Sequence, residues 1–336
     1  MQNFAPGFVI GSYRVVRALG AGGMGAVYEV EHPTLGVHYA LKTFTLEEGH
    51  AELFRKRFLA EGRLLARLRH PNLVHVFDLA YDEANDLLYF VMDLVLFEDG
   101  EAHTLAEIEQ GSAEEGDVVQ WFGELCQVLA YVHAQGVVHR DIKLGNILLA
   151  PGRRVVLSDF GISKVLGEKL RTDIDMARTM TEAATGGKFI MGTRGYMAPE
   201  VVRGEEVTPA ADVYALGVAF FYLLTGVWYE PGSRALELLE TLELPWAQII
   251  PQMLANAPKE RPTELCTLAK RLSVGTQPGA RSARGWKAVA MVGGGLAAVV
   301  AISAAAWFAF RTPAPSAAED EFDEAFGAEG IYEVLK

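Results

Sequence analysis

Two short polar motifs on either side of an apolar strand pair restrict the fold of this chain more than any other feature. Residues 139–146 read HRDIKLGN, and residues 159–161 read DFG. The apolar runs Ile147–Ala150 and Val155–Leu157 between them are typical of short buried strands. Loops flanking such a pair bring an aspartate, a lysine and oxygen ligands for a metal ion together, which is how a site for Mg²⁺ and a nucleotide is assembled.

The composition is that of a folded protein with an appended segment. Of 336 residues, 50% are hydrophobic and 22% are charged, enough to bury one large core or two modest ones. The net charge of -13, with 43 acids against 30 bases, argues against a nucleic-acid surface. Cys126 and Cys266 lack disulfide or metal spacing, and we expect two buried thiols in a reducing compartment.

The patterning divides the chain into two lobes. Residues 13–98 read as short alternating strands with one helix, and residues 114–273 read mostly as helices, with the division near Met92–Leu96. The fold class is therefore α+β. Asp212–Thr225 is apolar nearly all round but too short to span a membrane, so we expect a core helix there.

A glycine string opens the first lobe. Residues 20–27 read GAGGMGAV, and glycines at this spacing let backbone N–H groups approach a phosphate closely. A dinucleotide-binding fingerprint would be followed by a helix. Here residues 26–30 alternate, a turn falls at 33–36, and 37–42 alternate again, which predicts a hairpin and excludes that reading.

Lys42, at the end of that hairpin, is expected to pair with Glu61. Glu61 shares the helical stripe of Phe54, Phe58, Leu65 and Leu68, so its carboxylate should face the interior. A buried charge needs a partner of opposite sign, and Lys42 is the best candidate.

The second lobe supplies the residues expected to carry the chemistry. Asp141 would accept a proton from an attacking hydroxyl or orient it, and Lys143 would stabilise a transferring phosphoryl group. Asn146 and Asp159 carry hard oxygen ligands suited to Mg²⁺.

Together these motifs resemble the protein kinase catalytic domain, specifically the membrane-anchored serine/threonine kinases of bacteria. The resemblance covers residues 13–273, with a small antiparallel-sheet lobe at 13–95 and a larger helical lobe at 96–273. It implies ATP as phosphoryl donor, Mg²⁺ or alternatively Mn²⁺, and protein substrates with Ser or Thr acceptors. The residues that it assigns to ATP binding are Gly20, Ala21, Gly22, Gly23, Met24, Gly25, Ala26, Val27, Ala40, Lys42, Glu61, Met92, Asp93, Val95 and Leu148.

The resemblance also implies structural roles. Asp212 would hold the catalytic-loop backbone, and Arg261 would be the buried partner of Glu200, which ends the motif MAPE. A hydrophobic stack linking the lobes would consist of Leu65, Val76, His139 and Phe160. Lys143 together with Gly192-Thr193 before Tyr196 is the serine/threonine pattern.

The chain departs from the family's pattern at two places. Leu144 stands where the family commonly has proline, a change we expect to be tolerated. The segment 159–200 is long, and in the family an arginine at the position of Arg140 commonly meets a phosphothreonine on this segment. The predicted autophosphorylation sites are Thr185 or Thr181, with Thr179 as a weaker choice; ordinary loop polarity is the alternative for all three.

A second expected element lies near the other end of the chain. Residues 288–310 carry no charge and, as a helix of roughly 34 Å at 1.5 Å per residue, would cross a membrane. The basic residues of linker 274–287 would keep the kinase domain cytoplasmic at the inner or plasma membrane, with the short acidic tail 311–336 outside. Small residues such as Gly294 and Ala298 would allow a homodimer, although they also simply suit an alanine-rich membrane helix.

Two other functional classes remain open at this point. One is a pseudokinase scaffold or signalling adaptor at the membrane, which the presence of Lys42, Glu61, Asp141, Asn146 and Asp159 disfavours. The other is a small-molecule phosphotransferase, which would not be expected to carry MAPE.

Overall fold

The computed structural model describes residues 4–22, 25–44, 51–108, 113–160, 195–231, 235–242 and 245–275. All of them belong to one unit, Met1–Lys287.

An antiparallel sheet forms the N-terminal lobe. Within the described residues it has six strands in the order β1-β2-β3-β4-β6-β5. Their bounds are β1 Val9–Ile10, β2 Tyr13–Gly22, β3 Gly25–His32, β4 Val37–Phe44, β5 Val76–Asp82 and β6 Leu87–Met92. The β3–β4 hairpin is the one predicted from the alternating residues.

Successive side chains of a strand point to opposite faces of the sheet, and each face of this sheet packs in a core of its own. On β4, Leu41 packs in an outer core with Val30 and Val91, whereas Ala40 and Phe44 pack in the core that continues into the second lobe. Lys42 lies between Ala40 and Phe44 in this alternation, which directs it toward the cleft between the lobes.

Helix α1, Ala51–Leu65, packs on the cleft side of the sheet. Phe58 is fully buried, and its ring stacks on Phe90 with a centroid distance of 4.4 Å. Leu65 and Leu68 are also buried, as the helical stripe predicted.

The loop that follows α1 is bonded to the C-terminal lobe. The Asn72 side-chain amide donates to Glu124 Oε2 at 3.0 Å and to the Val155 carbonyl at 2.8 Å. The Leu157 N–H donates to the Asn72 carbonyl at 2.9 Å. This end of α1 is therefore tied to the second lobe.

The C-terminal lobe is mainly helical. Its helices are α2 Glu115–Ala134, α3 Pro199–Val202, α4 Pro209–Thr225, α5 Ala235–Thr241, α6 Trp246–Met253 and α7 Leu265–Gly275. Helix α4 is the predicted core helix, and Phe220 on it meets Phe122 of α2 edge to face at 5.0 Å. One expectation was wrong: Cys126 on α2 is buried, but Cys266 near the start of α7 is exposed, because it lies on the outer face of that helix.

A small sheet positions the residues predicted to be catalytic. Its strands, β7 His103–Thr104, β8 Ile147–Ala150 and β9 Arg154–Leu157, are ordered β7-β8-β9 within the described part of the chain. Because β8 and β9 are antiparallel, with Ile147 opposite Leu157, the residues before β8 and after β9 lie at the same end.

The predicted membrane segment 288–310 and tail 311–336 lie outside the described residues. Among the residues that are described, no helix combines the length and apolar character needed to cross a bilayer.

Candidate active site

The predicted catalytic loop, residues 139–146, lies between α2 and β8, and its backbone is held by Asp212. The carboxylate of Asp212, on α4, is 1% exposed and accepts the backbone N–H groups of His139 and Arg140, both at 2.8 Å. His133 Nε2 lies 2.9 Å from the same carboxylate. Arg140 has a positive φ of 67°, an uncommon conformation for a side chain with a Cβ, and these bonds help to hold it.

His139 connects the two motifs. Its Nε2 lies 2.9 Å from the Ser158 carbonyl, and the Asp141 N–H lies 3.3 Å from its Nδ1, so the neutral tautomer protonated at Nε2 satisfies both contacts. Burial lowers the pKa of His139, which favours this neutral form. Its ring packs on Phe160 at a centroid distance of 4.5 Å.

The predicted stack between the lobes is largely assembled. Leu65, Val76 and Phe160 line one small cavity, and His139 contacts this set through Phe160. Met92 lines the same cavity.

Asp141 is the centre of a compact polar cluster. Lys143 Nζ lies 2.9 Å from Asp141 Oδ2, and the Asn146 side-chain amide donates to the same oxygen at 2.8 Å. Asn146 also donates to the Asp141 carbonyl at 2.8 Å and is 3% exposed. The three predicted catalytic residues therefore share one site, and their roles in catalysis stay predictions.

Lys42, from the other lobe, pairs with Asp159 beside this cluster. Its Nζ lies 2.7 Å from Asp159 Oδ1. Asp159 has a positive φ of 57°, which points to a constrained turn at the start of the DFG motif. The Glu61 side chain lies outside the described residues, so its expected pairing with Lys42 stays a prediction.

The glycine string covers the end of β2 and the start of β3, and Gly23 and Met24 between them lie outside the described residues. Gly25 has a φ of 149°, and a Cβ there would lie 1.8 Å from the Thr43 carbonyl oxygen. Glycine at 25 thus has a local packing reason, whereas a Cβ at Gly20 would meet no atom within 4 Å. Close approach of a phosphate remains a reason for the other glycines.

The residues expected around the adenine lie on adjacent strands. Val27 on β3 is opposite Lys42 on β4, and Ala40 on β4 is opposite Met92 on β6. Val95 and Leu148, both half-buried, pack against the same core.

Asp93 follows Met92 and faces away from this group. Its N–H donates to the His75 carbonyl at 3.0 Å, and its carboxylate accepts the His75 N–H at 2.8 Å. Burial raises the pKa of the Asp93 carboxyl, although nearby Arg69 opposes the shift. These bonds fix the start of the segment that connects the lobes.

The oxygen atoms at the site fit a divalent cation. Asn146 uses its amide nitrogen toward Asp141, which leaves its Oδ1 as a ligand, and Asp159 presents a second carboxylate oxygen beside the one that contacts Lys42. No group of three or more His, Cys, Asp or Glu suited to a metal occurs among the described residues. Two protein oxygens suit Mg²⁺, which takes its other ligands from phosphates and water.

The predicted Glu200–Arg261 pair is present and buried. Arg261 Nη1 and Nη2 donate to the two Glu200 oxygens at 2.5 and 2.7 Å, and both side chains are almost fully buried. Burial would raise the pKa of Glu200, but the bonds from Arg261 outweigh it and the net pKa lies below the usual value of 4.5.

The predicted regulatory threonines Thr179, Thr181, Thr185 and Thr193 lie outside the described residues, which resume at Gly195. Arg140, the predicted partner of a phosphothreonine on this segment, lies within the described residues.

Two contacts to this site were not anticipated. His133 is a third partner of Asp212, and the Tyr196 hydroxyl lies 3.4 Å from the Leu144 N–H. His133 precedes the HRD motif by six residues at the end of an apolar helix, which offered a weak signal; Tyr196 was noted only as following Thr193.

Comparison with known proteins gives a consistent result. Residues 13–273 match the family described as "Protein kinase domain". Serine/threonine-protein kinase PknD of Chlamydia abortus (strain DSM 27085 / S26/3) is 33% identical over 289 residues, covering 76% of this chain and 30% of that protein. Serine/threonine-protein kinase PknJ of Mycobacterium tuberculosis (strain ATCC 25618 / H37Rv) is 38% identical over 229 residues, covering 67% of this chain and 36% of that protein.

Solved structures agree. The crystal structure of the Mycobacterium tuberculosis PknI kinase domain superposes with a TM-score of 0.60 at 26% identity, covering 81% of this chain and 99% of that one. The predicted two-lobed fold, a sheet lobe and a helical lobe, is thereby confirmed. This chain spans only about a third of the length of the two curated relatives above.

Proposed function

This chain belongs to the protein kinase domain family, and we propose that it is an active ATP-dependent serine/threonine protein kinase. The observation that carries the proposal is the cluster in which Asp141, Lys143 and Asn146 meet, next to an Asp159 paired with Lys42. Support also comes from the names of the relatives, which are serine/threonine-protein kinases.

In this mechanism Asp141 orients the acceptor hydroxyl and receives its proton. As the bond between the hydroxyl oxygen and the γ-phosphorus forms, the bond from that phosphorus to the bridging oxygen of ADP breaks. Lys143, 2.9 Å from Asp141, places a positive charge where the transferred group passes. Lys42 binds the phosphates that remain on the nucleotide.

Asn146 and Asp159 would hold the divalent cation. When bound, Mg²⁺ neutralises charge on the phosphate oxygens. The bonds from Asn146 to Asp141 then orient the catalytic aspartate relative to the cation site.

Phosphoryl transfer is tested with full-length protein, labelled ATP and a generic protein acceptor. Asp141→Asn should reduce label on Ser and Thr by about 10²- to 10⁴-fold, the range for loss of a general base. Asp86→Asn is the matched control, because Asp86 is exposed, has a φ of 49°, and Asn tolerates this conformation. Wild-type protein that gives no more label than Asp141→Asn, both at background level, would contradict the proposal and favour a scaffold that binds nucleotide without transfer.

The activation segment and the membrane segment are part of the same proposal. We expect autophosphorylation at Thr185 or Thr181, and mass spectrometry of active protein with no phosphate between residues 170 and 193 would contradict it. The phosphate would order the activation segment through charge-assisted hydrogen bonds to Arg140.

Residues 288–310 are proposed to anchor the kinase with its catalytic domain in the cytoplasm. The chain should then stay in the membrane fraction after carbonate extraction, and removal of 288–310 should release it. For the homodimer, unchanged association of Gly294→Leu in membranes would count against packing through small residues.

A further inference from the structure

The guanidinium of Arg17 makes a contact between the two lobes that is separate from the chain connection and from the Asn72 and Lys42 contacts. Arg17 lies on β2, three residues before Gly20. Its Nε lies 2.7 Å from Glu29 Oε2 on β3, Nη1 lies 2.5 Å from Glu101 Oε2, and Nη2 donates to the Gly100 carbonyl at 2.8 Å. We call this set, Arg17 with Glu29, Gly100 and Glu101, the interlobe bridge.

The N-terminal end of the bridge is rigid. Arg17 and Glu29 are opposite each other on paired strands, and Glu29 also lies 2.7 Å from His38 Nδ1 on β4. Although burial would raise the pKa of Glu29, its bonds to Arg17 and His38 prevail and lower it, so this carboxylate is charged. Arg17 is therefore fixed to three strands of the sheet.

The other end is a tight turn that directly follows the connection between the lobes. The Phe97 N–H donates to the Glu101 carbonyl at 2.9 Å, and the Gly100 N–H donates to the Phe97 carbonyl at 3.0 Å. The Glu101 N–H is accepted by Asp99 Oδ1 at 2.9 Å. Glu101 and Gly100 thus present fixed acceptors to Arg17.

We propose that Arg17 is a positioning residue that limits the opening of the nucleotide cleft through the interlobe bridge and thereby slows nucleotide release. The segment Asp93–Leu96 and the Asn72 contacts join the lobes elsewhere, and a further contact at β2 restricts rotation of the sheet about them. This inference rests on the proposed function only in requiring that the cleft bind ATP.

The expected effect is moderate. Arg17 and Glu101 are 34% and 60% exposed, and exposed ion pairs contribute little individually. Three acceptors on one guanidinium give a combined effect that we expect to be about three- to tenfold on the rate of nucleotide release.

The test uses the full-length chain and a fluorescent ADP analogue in stopped-flow displacement. Arg17→Ala and Glu101→Gln should each release the analogue about three to ten times faster than wild type. Arg14→Ala is the matched control: Arg14 is also an exposed arginine on β2 paired with a glutamate on β3, Glu31, but it makes no described contact with the other lobe. Its release rate should equal that of wild type.

Equal rates for Arg17→Ala and Arg14→Ala would overturn the proposal. So would a faster rate in Arg17→Ala that Glu101→Gln does not reproduce, because the effect would then come from the Arg17–Glu29 pair within the sheet.

A second measurement does not depend on nucleotide. Hydrogen exchange of the Gly100 and Glu101 amides should be faster in Arg17→Ala than in Arg14→Ala, and identical protection would overturn the bridge. Failure of the analogue to bind wild-type protein, with the exchange difference still present, would instead count against the proposed kinase function alone.

Discussion

The two lobes contribute to the same site but hold their residues in different ways. In the C-terminal lobe, Asp212 is 1% exposed and accepts two backbone N–H groups of the catalytic loop. In the N-terminal lobe, Lys42 is 20% exposed; it pairs with Asp159, itself 30% exposed, and its Nζ lies 5.7 Å from the centroid of the Phe44 ring. The C-terminal half of the site is therefore fixed before any ligand binds, whereas the N-terminal half can exchange partners.

The largest expected effect is on the stability of the C-terminal lobe. Glu200→Gln leaves Arg261 buried without its counter-charge and should lower the free energy of unfolding by about 3–5 kcal/mol. Glu205→Gln is the control, since Glu205 pairs with Arg203 at the same 2.5 Å but on the surface, and its stability should be unchanged. Denaturant unfolding that shows equal stability for the two variants would refute the contrast between buried and exposed pairs.

The same pair predicts a pH dependence. Because the pKa of folded Glu200 lies below its usual 4.5, its contribution is complete above pH 4.5 and is lost as the pH falls through the folded pKa. Glu200→Gln should remove this part of the acid destabilisation.

The next largest effect is on activity in the N-terminal lobe. Lys42→Met should lower kcat/KM for ATP by about 10²- to 10³-fold, the range for loss of one group that stabilises charge in the transition state. The melting temperature should not change, because Lys42 is partly exposed. Lys56→Met, an exposed lysine on α1, serves as control. Unfolding of Lys42→Met would show that this lobe depends on its charge pairs as the other lobe does.

Asp212→Asn should affect both stability and activity. The amide keeps one acceptor oxygen and presents an N–H group to the second backbone donor, at a cost of about 1–3 kcal/mol. Displacement of the catalytic loop should lower kcat by about ten- to a hundredfold with the KM for ATP unchanged. A change in KM alone would contradict the assignment of Asp212 to the loop. Steady-state kinetics and denaturant unfolding provide both readouts.

The smallest effects are opposite pH dependences of two histidines. Burial lowers the pKa of His139, so its contribution to stability is complete above pH 6.5 and falls as the pH drops toward the folded pKa. Bonds to Glu107 and Asp99 raise the pKa of His103, so its contribution is complete below pH 6.5 and is lost as the pH rises through the folded pKa. Unfolding curves of His139→Leu and His103→Leu between pH 5 and 8 should change slope in opposite directions.

The C-terminal half of the site was predictable because its chemistry is local in the chain. Asp141, Lys143 and Asn146 lie within six residues of one another, and a hairpin returns the chain to Asp159. Residues this close in the chain must lie close in space, so their proximity could be predicted without knowing how the lobe packs.

Contacts between polar residues far apart in the chain were not predictable in this way. Arg17 and Glu101 are 84 residues apart, and Asn72 and Glu124 are 52 apart. Polar side chains that meet across lobes leave no periodic pattern in either segment. Cys266 shows the same limit, since an apolar helical context did not reveal which face of α7 it occupies.

The attachment of Asn72 gives the two ends of α1 unequal freedom. The helix rises about 1.5 Å per residue, so Ala51 lies about 21 Å from Leu65 along the axis, and position 61 lies about 6 Å from it. A rotation about the tethered end moves each position in proportion to these lengths. A displacement of the first turn of α1 is therefore reduced more than threefold at position 61. A partner that binds the first turn must move that turn more than three times as far as Glu61 is to move.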